Sequence, residues 1–132
     1  MKVRIEKQSD GTYIAYNTDG RDVTLIGTGD TVAEAKADFY NSIEEIRAGY
    51  IEDGDEIPAE LDSKVEFNFD ISSLFEYYNV FNISALGRYL GINPGLMRQY
   101  KKGETPISDA QIKRIEDGIH KLAKDLANLS LS

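Results

Sequence analysis

The chain has 132 residues, with 15 Lys and Arg against 23 Asp and Glu, a formal net charge of −8, 41% hydrophobic residues and no cysteine. That balance describes a globular protein and excludes a disordered chain, a disulfide scaffold and a thiolate metal site, and no apolar run reaches the roughly 18 residues a membrane span needs. The charge is split: residues 1–81 hold 7 Lys and Arg against 18 Asp and Glu (−11), residues 82–132 hold 8 against 5 (+3).

In "MKVRIEK", Val3 and Ile5 alternate with Arg4 and Glu6, the pattern of a half-buried strand rather than of a signal peptide. Asp10-Gly11 is a hairpin signal, because glycine tolerates positive φ. "YIAYN" returns as a second strand, "TDGRD" marks a turn, and "VTLIGTG" is a third, so an antiparallel meander is predicted. The period then changes. Val32, Ala35, Phe39, Ile43 and Ile46 recur at steps of three and four, one stripe of a helix. Thr31 and Glu34 form a T-x-x-E capping box, and Ala33, Ala35 and Ala37 are expected to let the helix lie close on the sheet. Residues 48–64 are acidic, contain Gly54 and Pro58, and read as an irregular connection with a turn of helix after Pro58. "KVEFNFDI" alternates Val65, Phe67, Phe69 and Ile71 against polar residues and supplies a fourth strand. The fold class is therefore α+β: a small antiparallel sheet with one covering helix over residues 1–71, followed by an all-helical domain over residues 72–132.

The second half reads as four helices: "SSLFEYY", "NISALGRYL", "PGLMRQYKK" and a long one from Ser108. On the last, Ile112, Ile115, Ile119, Leu122, Leu126 and Leu129 step by three and four, a narrow seam whose far end overshoots so small a domain and suits a second chain. Between the middle two, Gly91 supplies a left-handed C-terminal residue, Asn93 a cap and Pro94 a first helical position that needs no N–H. That is the tight bend of a helix-turn-helix. Leu86, Leu90, Met97 and Tyr100 face inward, Ile92 bridges the turn, and Gly87 allows close packing. Arg98, Gln99, Lys101 and Lys102 project outward.

This pattern resembles the lambda-repressor/Cro type of helix-turn-helix over about residues 72–127. The resemblance implies that the helix from Pro94 lies in a major groove with its N-terminal side chains on base edges. Pro94 and Gly95 stand where such proteins often read bases and have nothing to read with, Lys101 replaces a common acidic residue, and Gly87 replaces an alanine. Base contact then rests on Gln99, suited to adenine, and on Arg98, suited to guanine, while Arg88, Lys101 and Lys102 hold phosphates and Asn93 caps the helix at the interface. A solvated surface of a plain four-helix module is the competing account.

"TGDTVAEAKADFYNSIEEI", preceded by "DGTYIAY" and followed by "GDEIP", resembles the HicB family of antitoxins over roughly residues 1–70, with G-D-T-x-x-E-A as its most specific part. "NTDGRDV" departs from the family's usual Pro-rich segment. The resemblance implies a degenerate ribonuclease-H-like domain that covers a small basic RNA-cleaving toxin of the HicA type, and a second domain that binds double-stranded DNA to repress its own promoter. A homodimer or tetramer in the cytoplasm is expected, because one helix-turn-helix reads only a half-site. The alternative is a stand-alone regulator whose first domain senses a ligand or only oligomerises. Enzymatic activity, cofactors and metals are not expected: Asp10, Asp19 and Asp22 fall in turns, where Asp serves the backbone, and His120, the one histidine, falls beside the apolar stripe of the last helix.

Overall fold

The computed structural model describes residues 1–132 and divides into two compact units, Met1–Asn79 and Val80–Ser132. The first contains strands β1 (Lys2–Lys7), β2 (Tyr13–Asn17) and β3 (Ile26–Gly29), helix α1 (Val32–Glu52), a 3-10 turn at Ala59–Asp62, strand β4 (Glu66–Phe69) and helix α2 (Ile71–Tyr77). The second contains α3 (Ile83–Leu90), α4 (Pro94–Lys102) and α5 (Asp109–Ala127). The division thus falls after Asn79, not at residue 71. Helix α2 belongs to the first unit, where Glu76 accepts the Val32 N–H at 3.1 Å and Tyr77 stacks on Phe69 at 5.9 Å.

The sheet runs β3-β2-β1-β4. β1 to β3 form the expected antiparallel meander, with Ile5 opposite Ala15 and Ala15 opposite Gly27. β4, however, lies parallel to β1, with Val3 beside Phe67 and Ile5 beside Phe69. The sheet is therefore mixed rather than antiparallel. A strand that returns to the far side of β1 through a helix runs parallel to it, as crossover connections do.

One face of the sheet is sealed by α1. Val3, Ile5, Ala15, Val32, Ala35 and Phe39 are completely buried, and Leu25, Ile43 and Leu61 nearly so. Ala33 and Ala37 are exposed, which corrects the expectation that they admit the helix. Glycines on the strand do so instead: a Cβ on Gly27 would overlap the Phe39 amide and the Ala35 carbonyl, and one on Gly29 would overlap Glu34 and the Ala35 amide. The capping box is also shifted. Thr31 Oγ accepts the Glu34 N–H at 3.1 Å, but the Glu34 carboxylate accepts from Asp30, at 2.8 Å, rather than from Thr31.

α1 continues past Gly49 to Glu52 and stops at Asp53 and Gly54, whose φ is +71°. A helical glycine costs about 1 kcal/mol, which the packing of Tyr50 against the core offsets. The third strand begins only at Ile26, because the loop before it is held by side chains. Asn17 bonds Val23 O at 2.9 Å and Leu25 N at 2.8 Å, and the Glu60 carboxylate accepts three successive N–H groups, from Arg21, Asp22 and Val23, at 3.2, 2.9 and 3.2 Å.

Candidate nucleic-acid interface

The second unit is built around two tight helix ends. After Leu90, Gly91 takes φ +72°, the Ile92 N–H reaches Gly87 O at 2.8 Å and the Gly91 N–H reaches Arg88 O at 3.2 Å. These two bonds close a Schellman motif. Asn93 Oδ1 then accepts from Gly95 N at 2.8 Å and Leu96 N at 3.2 Å, so α4 starts at Pro94 as the bend requires. A second closure ends α4: Gly103 has φ +75° and the Glu104 N–H reaches Gln99 O at 3.1 Å.

Between α3 and α4 the packing is close. A Cβ on Gly87 would sit 2.9 Å from Met97 Cγ and 3.0 Å from Ile92 O, so an alanine here does not fit without a shift. Ile83, Leu86, Leu90, Ile92, Met97, Tyr100 and Ile115 form the core of this unit. The inward residues expected from the sequence are thus those buried. On α5 the stripe divides: Ile115 is fully buried, Ile112 is exposed, and Leu126 and Leu129 are more than half exposed, the latter beyond the helix end.

All six residues singled out for DNA, Arg88, Asn93, Arg98, Gln99, Lys101 and Lys102, are exposed. Their settings differ. Arg98 Nη1 donates to Ser84 Oγ of α3 at 2.7 Å, and a Cβ placed on Gly95 would lie 3.6 Å from Arg98 Nη2. The guanidinium therefore reaches back over the first turn of α4, into the space that a side chain at position 95 would take. Gln99 Oε1 accepts from the Thr105 hydroxyl at 2.8 Å, which sets the direction of its amide. Asn93 is spent on capping. The ion pair of this unit, Lys113–Asp117, lies within α5, whereas Arg4–Glu6, Arg47–Glu44 and Arg47–Asp62 belong to the first unit.

Three contributors were not legible in the sequence. Ser84 and Thr105 orient Arg98 and Gln99. Arg114 of α5 brings Nη2 within 3.3 Å of where a Gly91 Cβ would be, placing another cation at the C-terminal end of α3, beside the bend. Each depends on a contact between elements, for which spacing along the chain provides no signal.

In the first unit, Asp10 accepts the Thr12 N–H at 2.9 Å and its hydroxyl at 2.6 Å, which holds its carboxyl below the usual range. Asp19 accepts the Lys2 N–H at 3.0 Å. No group of three or more His, Asp or Glu is arranged to hold a metal ion, and no helix is long and apolar enough to cross a membrane. Compared with known proteins, the chain matches no family model, no curated protein and no solved structure.

Proposed function

We propose that the chain is a sequence-specific DNA-binding regulator whose α4 enters the major groove, and that it acts as the antitoxin of a toxin–antitoxin pair. One observation carries the DNA reading: a capped helix-turn-helix displays Arg98 across the start of α4 with Gln99, Lys101, Lys102 and Arg88 exposed around it. This face belongs to a unit of charge +3 within a chain of −8. Arg98 is the base reader, paired with guanine, since residues at the start of such a helix meet base edges. Gln99 contributes farther along, and the lysines and Arg88 hold phosphates.

The antitoxin half of the proposal rests on the −11 of the first unit, which draws a small cationic protein, and on the likeness of residues 1–70 to HicB. Isolation of the complex from cells carrying the neighbouring reading frames tests it: recovery of a short basic partner supports it, and a chain that copurifies with none leaves the regulator reading alone. The DNA reading is tested by titrating the protein against its own promoter at increasing salt. Phosphate contacts release counterions, so affinity falls by orders of magnitude between about 50 and 200 mM salt; a flat profile contradicts it.

A further inference from the structure

The two edges of the sheet are treated differently. On β3, Thr28 N–H donates to Asp38 Oδ2 at 2.8 Å, and Ile26 O accepts from Ser42 Oγ at 2.5 Å. Side chains from α1 thus occupy the polar groups that would otherwise invite another strand. β4 has no such cover in its unit. Glu66 N donates to Met1 O at 2.9 Å and Asp70 N to Ile5 O at 3.1 Å, so residues 66, 68 and 70 face β1 and the N–H and C=O groups of Val65, Phe67 and Phe69 point away from the sheet. Phe67 and Phe69 stand beside Val3 and Ile5, which are fully buried, yet are themselves only half-buried. Beside the edge lie exposed rings: Tyr40 (46% exposed) meets Phe67 at 6.0 Å, and Tyr77 and Tyr78 meet Phe69 at 5.9 and 6.2 Å.

We infer that this edge pairs with the same edge of a second copy, antiparallel and centred on Phe67, joining two sheets into one. The charge pattern selects both the occupant and the register. With Phe67 opposite Phe67 of the copy, Val65 faces Phe69, Lys64 faces Asp70, and Glu66 faces Asn68. Along the paired segments opposite charges meet and like charges do not. Moving the register by one step either way that keeps the outward groups aligned sets Glu66 against Glu66, or Glu66 against Asp70. Like charges directly opposite destabilise a strand pair. A two-fold contact is self-complementary by construction, and β4 is so in one register. The rings of both copies then share the α1 side of the joined sheet, where Lys36 Nζ already lies 4.5 Å from the centroids of Phe67 and Tyr77. This contact does not depend on the DNA reading.

The test uses the full chain carrying Leu126→Asp, so that pairing through the exposed end of α5 does not contribute. Sedimentation equilibrium is expected to show a concentration-dependent dimer. Asn68→Glu, a change at an exposed position, sets a new carboxylate against Glu66 of the copy in two symmetric places and is expected to weaken association roughly tenfold with the far-UV circular dichroism spectrum unchanged. Adding Glu66→Lys restores the opposition of charge and is expected to recover the dimer. A chain that stays monomeric at every concentration, a dimer indifferent to Asn68→Glu, or a double variant that fails to recover would each overturn the inference.

Discussion

The two units use their charged side chains in opposite ways. In the sheet unit, seven of the 18 acids, Asp10, Asp19, Glu34, Asp38, Glu60, Asp70 and Glu76, accept backbone N–H groups of other residues. Their charge organises loops, a strand edge and helix starts. In the helical unit, the cations of the candidate face stand exposed, and the hydrogen bond from Arg98 to Ser84 of α3 holds its guanidinium back over the first turn of α4. Acids that serve the fold are expected to cost stability when removed, whereas cations that serve a ligand are expected to cost binding and nothing else. The net charge of each unit conceals that difference; the hydrogen bonds expose it.

The largest effect should come from replacing Arg98, Gln99 and Lys102 together by alanine. With the proposed base contacts of Arg98 and Gln99 worth about 1–3 kcal/mol each and the proposed phosphate contact of Lys102 lost as well, the triple variant is expected to abolish promoter binding in a gel shift. Circular dichroism should be unchanged, because all three are exposed. Phe39→Ala is the opposite case. It empties the centre of the first core and is expected to cost about 3–5 kcal/mol, read as a lower denaturant midpoint, with the helical unit's spectrum retained.

Glu60→Ala should cost about 0.5–1.5 kcal/mol, because three largely solvent-accessible N–H groups exchange one acceptor for water; rapid amide exchange at Arg21, Asp22 and Val23 would register it. The smallest effect is set by pH. Burial alone would raise the Glu6 carboxyl, but hydrogen bonds from Tyr16 and Arg4 prevail and its pKa lies below the ordinary 4.5. Its contribution is therefore complete above about pH 4.5 and is lost as pH falls through the lower folded value. Glu6→Gln should flatten that part of an acid denaturation curve by less than about 1 kcal/mol, since the pair is partly exposed.

Much of this was legible in the residues themselves. Alternation in "KVRIEK" and "KVEFNFDI" marked strands, the stripe from Val32 to Ile43 marked the buried face of α1, and Gly91-Ile92-Asn93-Pro94 marked a bend with both of its helix ends. What was not legible depends on partners distant in sequence. The direction of β4 follows from its crossover, not from its alternation, which is the same for either direction. The late start of β3 comes from Asn17 and Glu60, whose bonds to the loop replace a ladder. The persistence of α1 through Gly49 goes with Tyr50 packing against the core, and the boundary after Asn79 with Glu76 and Tyr77 of α2 meeting Val32 and Phe69. At the candidate face, residue types and exposure could be read from spacing, but the reach of Arg98 over Gly95 required Ser84 on another helix.

Selection of duplexes from a random-sequence library by the intact protein tests the central claim most directly. The account predicts enrichment of one motif with guanine at the position nearest the start of α4, arranged as two half-sites about one helical turn apart, and loss of that guanine preference in Arg98→Ala. A library that emerges unenriched, or a motif that Arg98→Ala selects equally well, would contradict it.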